Sequence, residues 1–187
     1  MRLQGFIYIT HICEIVIIIA REYPSPASYR ILSLLLDTPS SADRLAVSPL
    51  FVVGFLFVVA GGGLRKACYD ALGKFFTYQL GILKDHKLIT TGPYGVVRHP
   101  AYTAFFMADI GFMTLQLLPG SYLFESGAMK TRLGTTLISV WVLWVLLIVS
   151  TTFRRPAQED AVLRRQFGKE WDEWAEKTPY RLIPYIY

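Results

Sequence analysis

The sequence predicts an all-α integral membrane protein: about four transmembrane helices followed by a C-terminal amphipathic cytoplasmic helix. Three observations carry this expectation. Hydrophobic residues make up 53% of the 187 positions, and the mean hydropathy of +0.38 is high for a soluble domain. Two uncharged runs, Val47 to Leu64 and Leu133 to Phe153, have membrane length, since a hydrocarbon core takes roughly 20 helical residues. The basic residues also sort unevenly between the connecting segments, as membrane topology requires. A chain of this length makes one compact unit more readily than two domains.

The first span is Leu3 to Ala20, an apolar run that carries His11 and Glu14. These two lie one helical turn apart, where each can satisfy the other, although ionisable groups within a span are also functional candidates. Glu14 inside the run, and the lack of a small-x-small site before Arg21, argue against a removed signal peptide. The next segment, "REYPSPASYRILSLLLDTPSSADR", mixes Pro and Ser with an apolar patch at Ile31 to Leu36. It suits a lumenal turn with an interfacial stretch.

Val47 to Leu64 forms the second span and ends in Gly61-Gly62-Gly63. That run lacks G-x-G-x-x-G spacing and a preceding strand, so its expected use is close approach of a neighbouring helix. The third span, Pro100 to Leu118, carries Asp109, and the fourth is Leu133 to Phe153. In the tail, Val162, Leu163, Phe167, Trp171 and Trp174 recur at helical spacing with charged residues on the opposite face. Pro179 and Pro184 keep the last residues out of regular helix.

With four spans, fourteen of the nineteen basic residues fall on the N-terminus, the segment between spans two and three, and the tail. The positive-inside rule makes that face cytoplasmic. The net charge of +5 then follows from topology and contact with anionic headgroups. No nucleic-acid motif accompanies it, so no nucleic-acid partner is expected. Cys13 and Cys68 have neither metal-ligand nor disulfide spacing, and no metal is expected. The final "YIY" is not a lipidation box.

The chemistry concentrates in "TTGPYGVVRHPAYTAFF", residues 90 to 106. Gly92-Pro93 makes a turn, and Pro100 suits the first turn of the third span. Arg98 and His99 therefore stand at a helix start, where the helix dipole favours anions. That placement calls for a ligand or an acidic partner. The simpler alternative is Arg98 snorkelling to headgroups while His99 caps the helix.

"HKLITTGPYGVVRHPAY", followed after a helical hairpin by "RRPAQEDAVLRRQFGKEWDEW" and a final "LIP", resembles the isoprenylcysteine carboxyl methyltransferase family. "GLRKACYDALGKFF" is similar to the family's segment leading into the cofactor region. The resemblance runs over about residues 61 to 187, with two separated motifs in the family's order. It implies an integral membrane enzyme that uses S-adenosyl-L-methionine to methylate the C-terminal carboxylate of a prenylated cysteine. It further implies a division into residues 1–60, N-terminal membrane helices and lumenal loop, and residues 61–187, the catalytic region.

Carried onto matching positions, the resemblance implies a cofactor pocket of Gln79, then His86, Lys87, Leu88 and Ile89, then Tyr94, then His99, Pro100, Ala101 and Tyr102, with Glu159 joining from the tail. Arg155 matches the family's substrate-contacting arginine, so Arg155 and Glu159 are the expected catalytic pair. Taken alone, their spacing equally suits a mutual ion pair on a solvated helix. The implied partners are prenylated CaaX-derived protein C-termini and membrane lipid, at an endoplasmic reticulum membrane with the active site facing the cytoplasm.

The chain departs from the family pattern at Ala101 and Ala104, where Ser and Gly are frequent. Asp160 stands where a second Glu is common, and Trp171 and Trp174 stand where tyrosines are frequent. Three other functions fit the residues less fully: a phospholipid or small-lipid methyltransferase, a sterol-reductase-like enzyme binding NADPH, and a non-catalytic membrane adaptor.

Overall fold

A computed structural model describes residues 4–75 and 87–186, and every regular element among them is helical. The order is α1 (Gln4–Glu22), α2 (Pro26–Leu35), α3 (Pro49–Leu72), α4 (Pro100–Leu117), α5 (Tyr122–Glu125), α6 (Arg132–Phe153), α7 (Arg155–Phe167) and α8 (Lys169–Lys177). Short 3-10 turns lie at Pro39–Arg44, Gly73–Phe75, Gly92–Gly95 and Ala128–Lys130.

Helix is the form a single apolar segment must take in lipid, because it satisfies its own backbone polar groups. Among the described residues, three helical stretches are long and apolar enough to cross a membrane: Pro49–Phe75, Pro100–Glu125 and Arg132–Phe167. They contain the third and fourth expected spans and, from Pro49 on, the second, whose expected start is two residues earlier at Val47. Leu143, Leu146 and Leu147 on α6 are each more than half exposed, as a lipid-facing surface requires.

The chain divides into two compact units, Met1–Leu56 with Ile110–Leu146, and Phe57–Asp109 with Leu147–Tyr187. In the first, Ile17, Ala20, Leu32, Leu36, Ala42 and Leu45 form an apolar cluster that holds α1 and α2 together. Ser25 starts α2 by accepting from the Ser28 amide, with Pro26 in the first turn. Arg21 ties the end of α1 to the carbonyls of Ala42 and Leu45, each at 3.1 Å. His11 and Glu14 do lie together, Nδ1 to Oε2 at 3.7 Å, and Gln116 Nε2 donates to His11 Nε2 at 3.1 Å.

The second unit packs around Cys68, Tyr94 and Trp174, with Leu88, Ile89, Ala101, Leu163 and Trp171 against them. Of the three consecutive glycines, Gly61 is the one that permits close approach. A Cβ there would sit 2.8 Å from the Ala104 carbonyl oxygen and 2.9 Å from the Ala108 nitrogen on α4, whereas one at Gly62 or Gly63 meets nothing. The amphipathic stretch expected as one tail helix folds as two, α7 and α8, because Gly168 at φ +54 and ψ −119 turns the chain between them. A residue with a Cβ is strained in that backbone conformation. Residues after α8 leave regular helix, as the two prolines require, and Thr103 on α4 holds them by donating to the Leu182 carbonyl at 2.6 Å.

Gly61→Leu is expected to lower stability by about 1–3 kcal/mol through overpacking, while Gly62→Leu leaves the melting temperature close to that of the unmodified protein. Thermal unfolding in detergent, run on both variants, checks this.

Candidate functional site

The 3-10 turn Gly92–Gly95 delivers residues 96–99 to the start of α4. The chain is held there by two backbone bonds from the tail side: the Arg98 amide donates to Tyr180 O at 2.9 Å and the His99 amide to Arg181 O at 2.8 Å. Trp174 on α8 fixes the turn by donating its indole N–H to the Tyr94 carbonyl at 3.1 Å. From the α3 side, Arg65 Nη1 donates to the Ala101 carbonyl at 3.1 Å and Arg65 Nε to the Tyr69 hydroxyl at 2.8 Å.

Arg98 does not snorkel. Its side chain is buried, with Nη1 donating to the carbonyls of Thr178 and Pro179, both at 2.8 Å. Its remaining edge faces the buried carboxylate of Asp160, Nε to Oδ1 at 3.3 Å and Nη2 to Oδ2 at 3.4 Å. His99 Nε2 meets the same Oδ1 at 2.8 Å, and Arg181 Nε donates to Oδ2 at 3.1 Å. The acidic partner that the helix start calls for is therefore Asp160 on α7, which repays the cost of burying the guanidinium.

His99 also turns Nδ1 toward Glu159, 3.6 Å from Oε2. Burial disfavours the imidazolium, but hydrogen bonding to Asp160 and Glu159 and the charge of both carboxylates outweigh it, raising the His99 pKa above its ordinary 6.5. Tyr94 stays a neutral phenol: burial above all, then its neighbours Cys68 and the Glu159 carboxylate, push its pKa well above the usual 10. The Tyr102 hydroxyl, one turn into α4, faces both Glu159 and Arg155, and its ring meets the His99 ring edge-on at 6.0 Å between centroids.

The expected site residues are thus placed unevenly. His99, Tyr102, Arg155 and Glu159 come together where α4 and α7 begin. Tyr94 and Pro100 are buried beneath them, Ala101 is half-buried, and Leu88 and Ile89 line the apolar cluster around Tyr94. Lys87 is exposed. Gln79 and His86 lie outside the described residues. Among the described residues no group of three or more His, Cys, Asp or Glu side chains could hold a metal.

Asp160, Arg181, Arg65 and Trp174 were not legible as site residues from sequence. Asp160 registered only as a departure from a family pattern, and Arg181 only as part of the charge count. Each acts through a partner distant in the chain, 62 residues away for the Asp160–Arg98 pair.

These features define an integral membrane protein with a polar, partly enclosed site at a helix start. The chain belongs to the isoprenylcysteine carboxyl methyltransferase (ICMT) family, whose pattern matches residues 52–163. It is similar to a probable protein-S-isoprenylcysteine O-methyltransferase of Oryza sativa subsp. indica, 28% identical over 175 residues, covering 91% of this chain and 80% of that protein. That alignment reaches into the N-terminal region, beyond the residues that carry the resemblance by motif. The protein-S-isoprenylcysteine O-methyltransferase of Schizosaccharomyces pombe is 29% identical over 143 residues, covering 70% of this chain and 52% of that protein. A Delta(14)-sterol reductase of Mus musculus is 26% identical over 101 residues, covering 54% of this chain and 20% of that protein.

Asp160→Asn is expected to cost about 3–5 kcal/mol, because it leaves Arg98 buried without its counter-charge; chemical or thermal unfolding measures it. His99 also sets a pH dependence. Its folded pKa lies above 6.5, so the stability it contributes is complete below about 6.5 and is lost as pH rises through the folded value. Melting curves from pH 6 to pH 9 should show this loss in the unmodified protein and a flatter profile in His99→Gln.

Proposed function

We propose that this protein transfers a methyl group from S-adenosyl-L-methionine to the C-terminal carboxylate of a prenylated cysteine. The observation that carries the reading is the convergence of Arg155, Glu159, Tyr102 and His99 at the start of α4, beside helices apolar enough to face lipid. Family membership and the names of the rice and fission-yeast relatives support it. The sterol-reductase likeness, which reaches only a fifth of that protein, supports a reductase reading less well.

The residues present fit the cofactor by their chemistry. Glu159 is partly open, 34% exposed at its side chain, and offers a carboxylate to a cationic ligand, with the Tyr102 hydroxyl beside it. Bound there, S-adenosylmethionine supplies a methyl group already activated by its sulfonium. The substrate carboxylate, whose ordinary pKa is roughly 3.3 to 3.7, is ionised at neutral pH and needs no general base. Asp160 could not serve as one, since Arg98, His99 and Arg181 occupy it.

Arg155 is exposed and presents a guanidinium that can orient the carboxylate while leaving one oxygen to attack. Rate enhancement then comes from alignment and from keeping water out. Prenyl chains partition into the bilayer, so the lipid enters laterally between helices and the cofactor arrives from the aqueous side. The catalytic region is residues 61–187. Helix α1, whose Ile9, Ile12 and Ile15 present an exposed apolar face, serves as the first span and brings the number to four. The basic face is cytoplasmic, in an endoplasmic reticulum membrane.

Methyl transfer from radiolabelled S-adenosylmethionine to N-acetyl-S-farnesylcysteine in liposomes tests the reading. The unmodified protein should form base-labile ester. Arg155→Ala should lose at least about tenfold in kcat/KM, equivalent to a charge-assisted hydrogen bond, while still binding cofactor. Glu159→Ala should lose cofactor binding as well. Cofactor binding without ester would overturn the substrate, and absence of cofactor binding would overturn the class.

A further inference from the structure

Asp160 does more than neutralise Arg98. Its Oδ1 lies 2.8 Å from His99 Nε2, and both side chains are buried. A carboxylate held by Arg98 and Arg181 is an anion that only accepts, so Nε2 must carry a hydrogen whether the ring is neutral or cationic. The proton that distinguishes the two forms therefore sits on Nδ1. That nitrogen is 3.6 Å from Glu159 Oε2.

Two successive acids of α7 thus act on the two nitrogens of one imidazole. Around the ring stand Glu159 and Asp160 from α7, Tyr102 from α4, Arg98 beside it in the chain and, through Asp160, Arg181 from the segment after α8. Of these side-chain types, imidazole is the one whose charge changes near neutral pH. The inference that follows rests on the methyl-transfer reading, in which Glu159 receives the positive charge of the cofactor.

We propose that Asp160 is a positioning residue for cofactor binding that acts through His99: it pins one proton on Nε2, so that the other, on Nδ1, faces Glu159 and competes there with the cationic cofactor. On cofactor binding the Nδ1–H bond breaks and its proton passes to solvent, because two like charges beside one carboxylate disfavour each other. Linkage then makes binding release protons, and makes affinity rise with pH through the folded value of His99, above 6.5.

Calorimetric titration of S-adenosylmethionine into the full chain in non-ionic detergent, in buffers of different ionisation heat, counts the protons released between pH 5 and pH 8. The unmodified protein should release about half a proton or more at the pH of greatest release. Asp160→Asn should move that pH down by about one unit or more, since a carboxylate partner favours the cation by that order. Arg181→Gln should move it up, because it leaves Asp160 more of its charge for His99, and Asp160→Glu should keep it near the unmodified value. If Asp160→Asn does not fold, the upward shift in Arg181→Gln carries the test. A merely structural Asp160 would weaken binding without moving the pH of release. The cofactor's own ammonium group, with an ordinary pKa of roughly 7.7 to 8.0, takes up protons instead, and does so alike in every variant. Binding without proton release, or with release at the same pH in all variants, would overturn this proposal and leave the methyl-transfer reading standing. No binding by the unmodified protein would overturn both.

Discussion

Two arginines and a histidine share a single buried carboxylate, and the second unit of this protein is organised by that sharing. Asp160 takes Arg98 on both oxygens, His99 on one and Arg181 on the other. A buried ion pair of this kind adds little net stability over apolar packing, since desolvation offsets most of the attraction. What it enforces is geometry. A guanidinium placed at a helix start must either leave the interior or find an anion there, and the anion comes from α7. The start of α4, the start of α7 and the segment after α8 are thereby fixed to one another.

That constraint has a chemical consequence one residue earlier in the helix. With Asp160 occupied, Glu159 is the carboxylate left accessible beside Tyr102 and Arg155. Two adjacent acids on one helix thus sit in different environments: one is buried and fully engaged, the other is partly open, with the Tyr102 hydroxyl and the edge of His99 beside it. Aspartate at the second position, where the family pattern often has glutamate, places its carboxylate one methylene closer to its own backbone. The three donors meet it there.

The apolar frame obeys a simpler rule. Spans two, three and four were legible because a helix in lipid needs an unbroken apolar run, and that run is written consecutively in the chain. The glycine run at residues 61–63 announced a close helix contact but not which member makes it. Only the facing of α3 against α4 singles out Gly61. The break at Gly168 was hidden because Phe167, Trp171 and Trp174 keep helical spacing across it, and periodicity cannot register a glycine that changes the chain's direction.

By itself, the sequence determined the helical class, the apolar spans, and the two motifs around "RHPAY" and "RRPAQED" that mark the family. These are local properties: hydrophobic run length, turn residues, and short patterns within a few helical turns. The partner of Arg98 and the separate surroundings of Glu159 and Asp160 were decided by tertiary structure. Both depend on residues about 60 to 80 positions apart meeting in a low-dielectric interior, as with Asp160 and Arg98, or Thr178 and Arg98. Charge and spacing along the chain say which groups are available, but only folding says which of them must neutralise each other once water is gone.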